Sequence, residues 1–122
     1  MTTKRWITFL GAGLLIAASG VGLYDETQVT THVVMAQQEA QEGQELFASL
    51  CQTCHGPGGD GAGGAPVLND DVTVTKYANT SALAQFIQSR MPATNPGILS
   101  PSQARNLAWY IIKLNHRLPG NP

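Results

Sequence analysis

The sequence predicts a small all-α domain behind an apolar N-terminal segment, and three observations predict it. Three stretches carry apolar residues at helical spacing. Period-two alternation is confined to VTVT at 72–75, and the run GPGGDGAGGAPVLNDD, 56–71, breaks any regular element between the first two stretches. At 122 residues, with 13 glycines and 7 prolines, the chain has room for one domain with a modest core. A formal net charge of −1 supplies no basic field of the kind that gathers nucleic acid, so nucleic acid is not an expected partner.

The N-terminal element comes first. Lys4 and Arg5 precede an uncharged apolar run from Trp6 to Tyr24, closed by Asp25 and Glu26. As a helix this run would be roughly 27 to 29 Å long, close to the hydrocarbon thickness of about 30 Å. A cleaved signal peptide has a shorter apolar core and small residues just beyond it. Here Ala18-Ser19-Gly20 is interrupted and Val34-Met35-Ala36 lies far downstream. Residues 1–24 are therefore expected as a single-pass membrane anchor, with a cleaved signal and a soluble periplasmic product as the alternative. Lys4 and Arg5 stay cytoplasmic in either case, and the rest is exported. Residues 25–38, DETQVTTHVVMAQQ, show no sustained apolar period and read as a linker with helix expected only near its end, and His32 and Met35 are given no ligand role.

The domain is expected over 39–122. Its first helix is QEAQEGQELFASL, with Leu46, Phe47 and Leu50 on one face leading into Cys51. The second, TSALAQFIQSRM, takes Thr80 or Ser81 as cap and places Leu83, Phe86, Ile87 and Met91 on one stripe. The third, SPSQARNLAWYIIKL, is the clearest. Ser100 and Gln103 form a capping box around Pro101, and Leu107, Tyr110, Ile111 and Leu114 face inward. The tail HRLPGNP reads as a solvated end.

The two cysteines of the chain fall in CQTCH, 51–55. A C-x-x-C pair can serve a redox couple, half a zinc site, a disulfide or haem attachment. A thioredoxin-like couple wants a βαβ setting, and a zinc site wants a second ligand pair; neither is present in the sequence. Haem attachment uses all five positions: Cys51 and Cys54 add across the two vinyl groups of one porphyrin, and His55 is held where its imidazole reaches the iron. That is the preferred reading, with a redox disulfide or zinc as the remainder. The glycine run lacks the lysine and strand of a phosphate-binding loop, and is read as chain passing close to a flat cofactor.

From about Gln41 to Leu114 the sequence resembles a class I c-type cytochrome. Gly43, Phe47 and Cys51 follow one another at four-residue steps, as that family's first helix does. Leu107 and Tyr110 match the last helix, which in the family crosses the first at the glycine. The resemblance implies three main helices around one covalent haem c. It also implies that the Pro66 carbonyl accepts from the ligating histidine and that Met91, in Met91-Pro92, is the sixth ligand opposite His55. His116 is the rival, and Met35 lies on the wrong side of the motif. The interval from His55 to Met91 is short for the family, which implies a trimmed loop.

Axial ligation by His55 and Met91 would leave no vacant iron site, so the expected function is one-electron transfer between membrane redox complexes of a respiratory or photosynthetic chain, without substrate turnover. The alternatives are a haem-bearing accessory subunit of a larger complex, and a haem sensor or small peroxidase. Beyond residue 37 the five basic and six acidic side chains nearly cancel. Redox partners are therefore expected at a small apolar patch around the cofactor edge, with Glu39, Glu42 and Glu45 as a solvated face. Trp109 is left open between packing at the haem edge, core filling and docking.

Overall fold

A computed structural model describes residues 21–120. Helix α1 spans Val21–Leu50, α2 Gln52–His55, α3 Val72–Thr75, α4 Thr80–Arg90 and α5 Pro101–Leu114, with a short 3-10 turn at Pro57–Gly59. Among the described residues there is no strand, and the expected all-α class holds. VTVT becomes a helical turn because Asp70 Oδ1 accepts from the N–H groups of Val72 and Thr73 at 3.0 and 3.2 Å, satisfying donors that a strand would have to pair elsewhere.

The frame of the domain is the packing of α1 across α5. Ala36, Ala40, Gly43 and Phe47 form the buried stripe of α1, and Ala104, Leu107, Ala108, Tyr110 and Ile111 that of α5. At the crossing, a side chain on Gly43 would overlap the Asn106 carbonyl, so only a hydrogen there lets the two backbones meet. Beside it Phe47 and Tyr110 stack at 5.2 Å between ring centroids. Two acids that were expected to be a solvated face hold this crossing instead. Glu39 pairs with Arg105 at 2.9 Å, and Glu42 Oε2 accepts from Asn106 Nδ2 at 2.7 Å.

One further expectation is corrected. Residues 25–38, read as a linker with helix only near its end, are helical throughout and continuous with the rest of α1. No glycine or proline interrupts them, and Ala36 is buried while Val33 lies against Gly120 of the C-terminal tail. The described part of the tail, 116–120, is exposed apart from half-buried Leu118, as expected of a solvated end, and Arg117 pairs with Asp71 at 3.0 Å on the surface. Residues 1–20, most of the expected anchor, lie outside the described residues. Among the described residues no helix is long and apolar enough to cross a membrane.

Helix α4 packs on α5 through Leu83 and Ile87. It is capped by Asn79, whose Oδ1 accepts from Ala82 N at 2.9 Å, rather than by Thr80 or Ser81. The helix ends at Arg90, leaving Met91 extended at its C-terminus. The predicted capping box of α5 is formed: Ser100 Oγ accepts from Gln103 N at 3.1 Å, and Ser100 N donates to Gln103 Oε1 at 2.9 Å.

Candidate cofactor cleft

The turn that leaves α1 delivers both thiols and an imidazole to one cleft of about 300 Å³, at the lower end of the range for cofactor sites. Cys51 N donates to Phe47 O at 2.9 Å, so the α1 ladder runs on into the motif. His55 N then donates to Cys51 O at 2.9 Å, giving the single turn that sets Cys51, Cys54 and His55 together. Both cysteines are free thiols, Cys54 exposed and Cys51 half-buried. Phe47 and Leu50 from α1, Leu83, Phe86 and Ile87 from α4, and Leu107 and Ile111 from α5 make the walls apolar.

The glycine-rich loop closes a further wall by running tightly over the motif. Ala65 N donates to Cys54 O at 3.0 Å, and a side chain on Gly63 would overlap the carbonyl oxygens of Thr53 and Cys54. This brings Pro66 O to 2.9 Å from His55 Nδ1. A carbonyl can only accept, so Nδ1 carries the proton and Nε2 keeps its lone pair for a metal.

Met91 lines the same cleft from the segment that follows α4, together with Pro92, Ala93 and Thr94. The structure therefore brings together all five residues singled out in the sequence: Cys51, Cys54, His55, Pro66 and Met91. It does not bring His116 there. His116 lies exposed beyond α5, at φ 56, and is not among the lining residues. His32 and Met35 are exposed on α1. Trp109 does not line the cleft; it stands half-buried between α5 and α4, with Thr80, Ala84 and Arg105. Among the lining residues that the sequence reading did not single out are Thr73, which sits in the VTVT alternation, and Tyr77, which belongs to no motif or periodic stripe.

The electrostatics oppose a thiol-based redox role. Burial, with a smaller contribution from the neighbouring Cys54, pushes the Cys51 thiol up to about 11. An attacking cysteine needs the opposite, a thiolate stabilised near neutrality. Two free thiols one turn apart, a histidine with one nitrogen engaged and the other available, a thioether, and apolar walls together fit a covalently attached haem c.

Comparison with known proteins agrees with the geometry. The family described as cytochrome C oxidase, cbb3-type, subunit III matches residues 38–111. The cbb3-type cytochrome c oxidase subunit FixP of Azorhizobium caulinodans is 34% identical over 94 residues, which cover 66% of this chain and 31% of that protein. The subunit CcoP of Azospirillum brasilense is 34% identical over 92 residues, covering 62% of this chain and 30% of that one. A thiosulfate dehydrogenase of Psychrobacter arcticus is 31% identical over 93 residues, covering 65% and 27%. The chain thus spans about three tenths of the length of these curated relatives. No solved structure matches it. The chain is a class I c-type cytochrome and belongs to the cytochrome c oxidase, cbb3-type, subunit III family.

Proposed function

We infer that the chain is a one-electron transfer domain for a single haem c, which Cys51 and Cys54 would attach and His55 Nε2 and Met91 Sδ would ligate. The observation that carries this reading is the convergence of both thiols, the oriented imidazole and the thioether on one apolar cleft. Bound there, haem c supplies reversible exchange of one electron between the ferric and ferrous states. The protein's part is to hold and insulate. Cys51 and Cys54 anchor, and Pro66 fixes the ring plane and tautomer of His55. Met91 offers a soft thioether that favours the ferrous state, while Phe47, Leu83, Ile87 and Leu107 keep water from the buried side. Among the described residues Tyr77 is the one ionisable side chain lining the cleft besides the two thiols and His55, so we read the chain as a carrier without substrate turnover.

Substitution at position 91 tests the assignment. Met91→Ala opens the sixth position, so the reduced protein gains carbon monoxide binding. Met91→His keeps the iron six-coordinate with a stronger donor, and lowers the potential at unchanged haem content. His116→Ala leaves both properties alone. Carbon monoxide binding that appears in His116→Ala and not in Met91→Ala would sink the axial assignment.

A second reading, that the domain is a relay step inside a respiratory oxidase rather than a free carrier, is favoured by the relatives named as oxidase subunits. Both readings place residues 1–24 as a membrane anchor with the 39–122 domain on the extracytoplasmic side. Co-purification with a larger complex after detergent extraction selects the relay, and a monomeric red protein selects the carrier.

A further inference from the structure

The carbonyl that orients His55 belongs to a residue that cannot anchor itself. Pro66 has no N–H, and it sits in a stretch without regular structure between Gly61 and Asn69. Its position is inherited from its neighbours. Upstream, Ala65 is tied to the Cys54 carbonyl. Downstream, Leu68 N donates to Gly59 O at 2.7 Å, and the Leu68 carbonyl turns the other way, into the end of α5.

What it meets there is Asn115, 5% exposed at the C-terminal cap of α5. Asn115 Nδ2 donates to Leu68 O at 2.8 Å and to Ile111 O at 2.7 Å, while Oδ1 accepts from Asp71 N at 2.8 Å. Both amide protons and the carbonyl are used. Two of the three bonds cross from the rigid helix to the loop, one to Leu68 and one to Asp71. Asp71 stands at φ 61, a conformation a non-glycine residue keeps only when held; Arg117 Nε holds its carboxylate at 3.0 Å from the same tail. Asp71 in turn leads into α3, whose Thr73 Oγ1 donates to Val67 O at 2.9 Å, next to Pro66. Asn115 does not line the cleft.

We propose that Asn115 is a positioning residue for the iron-ligating histidine: it fastens the 66–71 segment to α5 and so holds Pro66 O against His55 Nδ1. This rests on the reading of His55 as the ligand. Loosening the segment weakens the Nδ1–H bond, which leaves the imidazole a poorer donor and raises the midpoint potential.

The test uses the haem-loaded protein and the solvent exchange of the His55 Nδ1 proton, followed by nuclear magnetic resonance against the backbone amide of Ile87 in α4 as reference. Asn115→Ala removes all three bonds. Asn115→Ser keeps a short back-bond to Ile111 O and thus the end of α5, but cannot reach Leu68 or Asp71. Both variants are expected to speed His55 Nδ1 exchange about tenfold relative to the reference amide, the effect of one lost hydrogen bond, and to raise the potential. If Asn115→Ser behaves as wild type, or if the reference amide accelerates equally, Asn115 merely stabilises the fold and the proposal falls. It falls also if neither variant accumulates with haem, since the side chain is then a folding requirement. A wild-type protein without a haem-shifted His55 ring resonance would overturn the ligand reading itself, which separates the two failures.

Discussion

Gly43→Ala is expected to destabilise the protein, although alanine is the better helix former. In an exposed helix interior the exchange would stabilise by about 1 kcal/mol. Here the new methyl overlaps the Asn106 carbonyl and comes to 3.0 Å from Tyr110 Cβ, and neither is the loose end of a flexible chain. The helices must separate. Overpacking of this kind costs about 1–3 kcal/mol. Separation also weakens the Phe47–Tyr110 stack, worth about 0.5–1.5 kcal/mol beyond burial, and stretches the 2.7 Å bond from Asn106 to Glu42, worth about 1.5–3 kcal/mol for a charged acceptor. Not all of these are lost in full, and the helix-propensity gain offsets part of them, so the net expectation is a loss of about 2–4 kcal/mol. Denaturant unfolding of the haem-loaded protein, followed by circular dichroism at 222 nm and by the Soret band, measures it. Phe47 and Leu107, each 1% exposed, also wall the cleft, so the Soret band is expected to shift as well. A stabilised Gly43→Ala protein with an unmoved spectrum would refute the crossing as the frame of the site.

Changing both Cys51 and Cys54 to serine is expected to leave haem extractable into acidified organic solvent, where the unaltered protein retains it; pyridine haemochrome absorbance of the two phases decides. A chain truncated to start at Gln38 should still carry haem but lose about 1–2 kcal/mol, because half-buried Val33 no longer covers the tail at Gly120 and the burial of Ala36 is lost; equal melting of the truncated and full-length proteins would contradict that packing. Burial raises the Tyr110 phenol above its ordinary value of about 10. The folded state therefore holds that proton more tightly. The corresponding stability is complete below the unfolded value and lost as pH rises through the folded one, and Tyr110→Phe should flatten the fall seen in alkaline melts.

How much was legible in the sequence follows from the kind of interaction involved. The capping box at Ser100 and Gln103 could be read because its partners are three residues apart and the bonds are local. The approach of Pro66 to His55 came from the resemblance, since no local rule predicts a contact eleven residues apart across a glycine loop. That the whole of 25–38 is helical, and not only its end, was hidden because its inward stripe is made of half-buried Val33 and buried Ala36, too small to stand out among exposed Val29, Val34 and Met35. At the start of α4, Asn79, Thr80 and Ser81 are all capable caps, and side-chain geometry rather than residue type selected Asn79. Glu39 and Glu42 looked like a solvated face because their partners, Arg105 and Asn106, come from the far end of the chain. Asn115 was missed for the same reason.

Attachment and folding are coupled in this chain by the way the core is divided. One part is protein against protein: the crossing of α1 and α5 at Gly43, with Ala104, Ala108 and Tyr110 closing on it. The other part is protein against the cleft. Of the 11 residues in the buried cluster, six, namely Phe47, Leu68, Leu83, Ile87, Leu107 and Ile111, also line the cleft. Without a cofactor those side chains face a gap that offers few partner atoms, and they forfeit the dispersion contacts and the exclusion of water that a filled core provides. A flat apolar macrocycle of the kind proposed would fill that gap and complete the core. Thioether bonds to Cys51 and Cys54, as proposed above, would make the filling permanent, at the point where the α1 ladder passes into the His55 turn. The walls that would gain stability from the cofactor are those that would shield it from water, so stability and redox poise would rest on one set of side chains. Enlarging or shrinking any of the six should move melting temperature and potential together, whereas changes at Ala104 or Ala108 should move melting temperature alone.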